Sequence, residues 1–465
     1  MAKVSALLAC VCALLSVLPA GAERKATVPE TAKRGEFIFF SNRVFTAEGK
    51  ERAEELETIK RFRVCLTNGY DNFSGRERDS LRTAGCDLFL YLWFNGYYEK
   101  ELGFDEGEKA SIQRYPDLRA AFREIHSHPE WLLNPKQPIQ GGGADFPAYF
   151  YDYGNPAFRA YYVWFIRERL QKTGYNGVFF DYIGGWALPE AAKKLWQEHY
   201  PELSYDAAGV TFLKELRRAI PSVKLFGNQA YRLSPDYYDC LDYDISESHG
   251  TSFVWGKEAR IFVQGKGMQA VRETFYRPWD GPAGYRAISQ PRRDMMAQRP
   301  RVQAFDLNYL QPWYVPTGEK AVVEGKEIPV FAERTDRPAI FYGYALAKLT
   351  GITAYASDWY APGFGQDDLY FLDLGDPVEP MFHEEMNVVV RYFRNGFVVV
   401  TRQGRQVSFT PNAKCLPANV KGLWDVYERK PVPEGPRGPV TIHPASYPAT
   451  QSDYPSGRVY LYRRD

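Results

Sequence analysis

Two acidic residues stand where bond-breaking chemistry would need them. Asp181 closes the apolar run Gly177-Val178-Phe179-Phe180, and Glu247 closes the run from Leu241 to Ser246. Cleavage of a glycosidic bond takes such a pair: one carboxyl protonates the leaving oxygen, and the other attacks the anomeric carbon or activates a water. The bland role for each is a salt bridge or the cap of the following helix. Other polar residues share the same kind of position. Asp152, Asn228, Gln229, His249 and Asn308 each follow or end a short apolar run, and they form the expected substrate-binding set for sugar hydroxyls. Asp152 is equally suited to cap the helix opening at Asn155-Pro156, and His249 equally ordinary as a loop residue. Trp93, Trp186, Trp313 and Trp359 are candidate platforms for stacking on sugar faces, with core packing as the alternative for each.

Other chemistries find little in the sequence. His126 and His128 form an H-x-H pair, but they precede a strand within a Pro-containing loop, and the chain has only 6 His. There is no G-x-S-x-G elbow and no Walker loop. The chain has 6 Cys, of which Cys10 and Cys12 lie in the N-terminal apolar run. Cys65, Cys86, Cys240 and Cys415 are far apart, with no CxxC, so neither a metal nor a cofactor is expected. One or two disulfides in an oxidising compartment remain open, as does burial of each thiol as a small hydrophobe.

These candidates need elements to hold them. Short apolar runs recur with helix-like stretches between them: 63–67, 87–94, 148–151, 177–181, 223–226, 241–247, 302–308 and 352–356. Eight strands mostly separated by helices predict an α/β fold, a closed parallel (β/α)8 TIM barrel. In such a barrel the active site lies at the C-terminal ends of the strands, where Asn68, Asn95 and Asp358 also fall. Residues 265–278 read as helical. After about residue 386 the pattern turns antiparallel, with Asn395-Gly396 as a hairpin signal between Val-rich runs. The expected domains are therefore a signal peptide (1–22), an N-terminal extension (23–60), the barrel (61–380) and a small C-terminal antiparallel β domain (381–465), which is expected to cover the barrel's flank.

The N-terminus suggests the compartment. Lys3 precedes an apolar run from Val4 to Leu18 that is too short to span a bilayer, and Ala20 and Ala22 offer an A-x-A cleavage pattern. The protein is expected to be exported, secreted or periplasmic, without stable membrane insertion after cleavage. An uncleaved anchor is the alternative. Asn72-Phe73-Ser74 is a glycosylation sequon that matters only in a eukaryotic secretory host. The 58 basic and 57 acidic residues nearly balance, which excludes a basic field for nucleic acid. Aromatic residues make up 16% of the chain, which suits a carbohydrate partner and suits a large core equally well.

Several motifs are similar to those of known barrels. Gly174-Tyr175-Asn176-Gly177-Val178-Phe179-Phe180-Asp181 resembles the G-(F/Y)-D-G-V-F-L-D strand of glycoside hydrolase barrels, among them hypothetical glycosyl hydrolases and endo-α-1,4-polygalactosaminidase-like proteins. Asn176 stands where Asp is commoner. Asp152-Tyr153-Gly154-Asn155-Pro156 resembles the D-x-x-N-P that precedes this strand in that group. Asp373-Leu374-Gly375-Asp376-Pro377 and the stretch Arg391–Val400 resemble the entry to its C-terminal β domain. The resemblance runs motif by motif over residues 60–410. It implies that Asp181 is catalytic, while Glu247 is placed by strand order. A non-catalytic glycan-binding or cell-envelope barrel is the rival reading, and fold analogy alone does not choose between them.

Overall fold

A computed structural model describes residues 38–40, 48–67, 73–102, 116–140, 147–247, 249–310, 312–356, 368–380 and 382–464. The expected signal peptide, Asn68, Asn72, Asp358 and Trp359 lie outside the described residues.

Eight parallel strands form one sheet in chain order: β1 (Ile38–Phe40), β2 (Val64–Leu66), β3 (Asp87–Trp93), β4 (Gly177–Asp181), β5 (Lys224–Asn228), β6 (Tyr243–Glu247), β7 (Gln303–Asn308) and β8 (Thr353–Ala356). The first and last strands lie beside each other, so the sheet curls into a barrel. Helices fill every interval: α1 (Gly49–Ile59), α2 (Gly75–Thr83), α3 (Pro116–His126) and α4 (Pro156–Thr173) before β4, then α5 (Glu190–His199), α6 (Tyr205–Ala219) and α7 (Pro235–Cys240) before β6, and α8 (Tyr285–Gln298) and α9 (Arg337–Thr350) before β8. The chain is a (β/α)8 barrel followed by an antiparallel β domain.

Two strand assignments change. The burst Ile38–Phe40, expected in an extension, is β1 and pairs in register with Val64–Leu66. Ala148–Phe150, expected as the third barrel strand, instead pairs antiparallel with Gly96–Tyr98 in a two-stranded flap. Both are short apolar triplets, and only their hydrogen-bond partners distinguish them. The stretch 265–278 is not helical. Gly267–Tyr276 pairs antiparallel with Thr251–Val263 around Gly265 and Gly267, whose φ values of 75° and 71° suit the turn. This hairpin and a second one, Trp313–Val323 with Lys326–Arg334, make a four-stranded sheet that emerges beyond β6 and β7.

In the C-terminal domain, the strands Val388–Phe393 and Gly396–Thr401 form the expected hairpin, and every residue of both is buried. Two cores explain this. Val389, Phe393, Val398 and Val400 join the barrel's core, while Val388, Val390, Tyr392, Phe397 and Val399 fill the domain's own. Helix α9, almost wholly buried, lies between them, so the domain covers the barrel's flank. The cysteines Cys65, Cys86, Cys240 and Cys415 are free and buried.

One ion cluster is sealed in this framework. Arg292 of α8 is fully buried, and its guanidinium lies between Asp244 of β6, at 3.4 Å, and Asp306 of β7, which it also hydrogen-bonds. Tyr285 donates to the other Asp306 oxygen at 2.5 Å, and the Ala230 N–H donates to Asp244 at 2.9 Å. Removing one partner from a buried pair leaves an uncompensated charge. Arg292→Met is expected to lower the unfolding free energy by about 3–5 kcal/mol. Urea unfolding checks this, and a loss below about 1 kcal/mol, the size of an exposed pair, would refute it.

Candidate active site at the barrel mouth

The direction of each side chain follows from the barrel interior. The Phe89 ring of β3 lies 5.3 Å from that of Phe226 on β5 and 5.6 Å from that of Tyr243 on β6. Phe226 also meets Phe179 at 5.1 Å and Phe305 at 5.8 Å. Several of these strands are not neighbours in the sheet, so their rings meet through the lumen. Gly177 makes room there, since a Cβ would sit 2.3 Å from the Phe89 ring. Side chains alternate along a strand. Counting by twos from these rings toward the C-terminal ends gives Tyr91 and Trp93 on β3, Asp181 on β4, Asn228 on β5, Glu247 on β6 and Tyr309 just beyond β7. These residues converge on the mouth.

Strands β4 and β6 flank β5, so Asp181 and Glu247 lean in from either side of Asn228. The Asn228 amide nitrogen donates to Oδ1 of Asp181 at 2.8 Å and to Oε1 of Glu247 at 2.8 Å. Bonds of that length from one trigonal nitrogen hold the two carboxylate oxygens roughly 5 Å apart. Asp181 also accepts the Tyr91 hydroxyl at 2.5 Å and the Tyr182 N–H at 2.9 Å. Tyr182 supplies that N–H from a left-handed backbone, φ 52°, a strained conformation for a bulky residue. Glu247 accepts the Tyr309 hydroxyl at 2.7 Å. Both acids are only partly exposed.

Their protonation differs in cause. Burial raises the Asp181 carboxyl, but the donors Tyr91, Asn228 and Tyr182 pull it back toward the ionised form. Burial, and next the Asp181 charge, push Glu247 up to about 7, with Tyr309 and Asn228 opposing. An acid that holds its proton near neutrality beside one wrapped in donors is the division of labour that acid–base catalysis uses.

Trp93 lies in register with Asp181, and its ring stands 5.7 Å from Tyr182 and 4.7 Å from Tyr98. Trp186, just beyond β4 in the turn Gly185–Ala187, is 38% exposed with the Arg232 guanidinium 5.7 Å from its ring. One side of its ring is taken by that guanidinium.

Several expected binding residues lie elsewhere. Asn308 has the outward parity of Asp306. It is wedged against Gly343 of α9, and its side-chain Oδ1 accepts the Thr251 N–H at 3.0 Å. Asp152 is buried, and its oxygens take the Gly154 N–H and the Tyr200 hydroxyl, each at 2.9 Å, so it braces a turn. Gln229 has a left-handed backbone, φ 58°, and its N–H donates to Ile245; its amide oxygen is buried without a partner among the described residues. His249 is buried, with Nδ1 2.5 Å from the Ser246 hydroxyl. Burial pushes its pKa down to about 4, which leaves a neutral ring unable to act on Glu247 as a cation. Trp313 packs edge-on against Tyr447 of the C-terminal domain at 4.5 Å, within a small apolar cluster with Ile261, Val263 and Phe331. Tyr91 and Tyr309 were not anticipated. The only hint in the sequence is a tyrosine at or near each strand end.

No helix among the described residues is long and apolar enough to cross a membrane. No protein-family model matches the chain, and no curated protein matches it. Solved structures to which it is similar include the glycoside hydrolase domain of PelA from Pseudomonas aeruginosa, at 16% identity over 72% of this chain and 96% of that one, with a TM-score of 0.41. The noncanonic maltogenic α-amylase AmyB from Thermotoga neapolitana is similar at 10% identity over 92% and 99%, TM-score 0.47. The α-amylase from Geobacillus thermoleovorans, complexed with acarbose, is similar at 12% identity over 92% and 98%, TM-score 0.42. At these identities and scores the similarities assign no role to any residue here.

Proposed function

We propose that the protein is an exported glycoside hydrolase that cleaves a polysaccharide or oligosaccharide with Asp181 and Glu247. The observation that carries this reading is the single Asn228 amide bound to both carboxylates. A glycan-binding scaffold has no need of two acids gathered over one partly open mouth, whereas most glycoside hydrolysis uses such a pair. Export rests on the apolar run and A-x-A pattern within residues 1–22.

The spacing favours retention of anomeric configuration. Retaining enzymes place the carboxyl groups about 5–5.5 Å apart, while inverting ones leave roughly 6.5–9.5 Å for a water. In this scheme Glu247 donates its proton to the glycosidic oxygen as an Asp181 oxygen bonds to the anomeric carbon and the aglycone departs. Glu247, now ionised, takes a proton from water, whose oxygen displaces Asp181 and restores both groups. Asn228, Tyr91 and the Tyr182 N–H hold the nucleophile in place, and Trp186 and Trp93 offer faces for flanking sugars.

The test is release of reducing ends from a panel of exopolysaccharides and oligosaccharides, with the anomer of the first product read by proton NMR. Cleavage with the starting anomer is expected. Failure to cleave any member of a broad panel would count against catalysis, and an inverted product would remove Asp181 from the nucleophile's role.

A further inference from the structure

We propose that the C-terminal β domain carries a zinc site formed by Glu379, His383 and Cys415. It is separate from the barrel mouth and does not depend on the hydrolase reading. The three residues come from segments laid around one tyrosine. The linker leaving the barrel runs beside the strand Val388–Phe393, with the Val378 N–H donating to the Tyr392 carbonyl at 3.0 Å, and it carries Glu379. His383 begins the edge strand, opposite Val390, and its ring lies 5.8 Å from that of Tyr392. Cys415 sits in the loop whose Asn412 N–H donates to the Tyr392 hydroxyl at 2.8 Å.

Their donor atoms all lie within 4.8 Å of one another. The Cys415 Sγ is 3.6 Å from Oε1 of Glu379 and 3.9 Å from Nε2 of His383, and His383 and Glu379 are in direct contact. Tetrahedral zinc, with Zn–S about 2.3 Å and Zn–N or Zn–O about 2.0–2.2 Å, sets donor-to-donor edges at roughly 3.3–3.6 Å. The two edges to sulfur are therefore close to zinc geometry. The third opens when the carboxylate swings off the ring nitrogen to let the ion in. A thiolate, an imidazole and one carboxylate select zinc over calcium or magnesium, which take oxygen ligands.

Access and anchoring are both present. Cys415 is buried and reaches the site from the domain core, while the His383 and Glu379 side chains are 35% and 40% exposed and leave an entry path and a fourth position for water. A bound ion would tie the linker and the edge strand to the loop at 412–416. The binding step exchanges the thiol proton for the metal, so one proton is released to solvent at Cys415.

The full chain, stripped with a chelator and dialysed, is titrated with zinc against a chromogenic competitor, and separately with cobalt. One equivalent of zinc is expected, with a thiolate-to-cobalt charge-transfer band in the near ultraviolet. Cys415→Ser should abolish that band and weaken zinc on the order of 100-fold or more, and Glu379→Gln, at a half-exposed side chain, should weaken it at least ~10-fold. Zinc should raise the Tm of the wild type and leave that of Cys415→Ser unmoved. Substoichiometric zinc in the wild type, equal binding by Cys415→Ser, or cobalt uptake without the thiolate band would each overturn the site. Hydrolysis at the barrel mouth is expected to be the same with and without the metal.

Discussion

Asp181→Asn is expected to reduce kcat by on the order of 10⁴-fold on any confirmed substrate while leaving the fold intact. The amide is nearly the same shape, and the lumen below it is filled by Phe179, Phe226 and Tyr243, whose packing does not change. What is lost is the anionic oxygen that bonds to the anomeric carbon. The three donors around Asp181, Tyr91, Asn228 and the Tyr182 N–H, are all arranged for a carboxylate. With its nitrogen turned toward Tyr91, the amide keeps the Asn228 and Tyr182 N–H bonds on its oxygen and donates to the Tyr91 hydroxyl, which can accept as well as donate. Steady-state kinetics beside a thermal melt separate the two effects. Small anions such as azide supply an external nucleophile, and they should restore turnover of an activated glycoside in this variant with inverted product. Retention of more than about a tenth of the wild-type kcat would remove Asp181 from the chemistry, and the azide rescue with inverted product separates a nucleophile from a positioning carboxylate.

Glu247→Gln is expected to cost on the order of 10²–10³ in kcat, because general acid catalysis is worth about that much. The loss should depend on the leaving group. A natural sugar alcohol leaves only if protonated, whereas a nitrophenolate is stable without a proton, so aryl glycosides should be hit far less in the first step. The same residue sets the pH profile. Glu247 must carry its proton, so wild-type kcat/KM should fall as pH rises past about 7, where burial and the Asp181 charge place its ionisation. At the acid end, activity falls when Asp181 is protonated. In Glu247→Gln the alkaline limb should disappear while the acid limb remains, and an alkaline limb that survives the substitution would assign the proton to another group.

Stability gives an independent readout of the same proton. An unfolded glutamate ionises near 4.3. Between that pH and about 7 the folded protein holds the proton and the unfolded chain does not, so the slope of unfolding free energy with pH is negative there. The wild type therefore loses stability as pH rises through this window. Glu247→Gln carries no ionisable group and should escape the loss, ending about 1–3 kcal/mol more stable than wild type at pH 8. Urea unfolding at pH 4 and pH 8 compares the two. A variant less stable than wild type at both values would mean that Glu247 serves the fold rather than the reaction.

The pH-dependent pair also shows why the C-terminal ends of β4 and β6 matter more than the loops around them. Asp181 and Glu247 sit on strands two places apart in the sheet, and the residue between them, Asn228, closes the gap with one amide. A site built on strand ends holds its geometry more tightly than one built on loops.

Much of this was readable along the chain. Apolar runs ending in polar residues, with helical stretches between, are a local signal, and local patterning is enough to announce an eight-fold α/β repeat. Val-rich runs around Asn395-Gly396 announced the hairpin of the second domain for the same reason. Two further matters are not local. The first is which triplets close the barrel. Ile38–Phe40 and Ala148–Phe150 are both short and largely apolar, and a hydrogen-bonding choice across distant segments put one in the cylinder and the other in a flap. The second is which way each strand-end residue points. Buried barrel strands are apolar on both faces, so Phe179 and Phe180 look alike in a sequence and the alternation that would reveal direction is erased. Only packing decides it. Phe179 turns inward against Phe226, which sends Asp181 into the mouth, while Asp306 turns outward to Arg292 and carries Asn308 with it into the helix layer. A side-chain period of two makes a single step the difference between facing the lumen and bracing the wall.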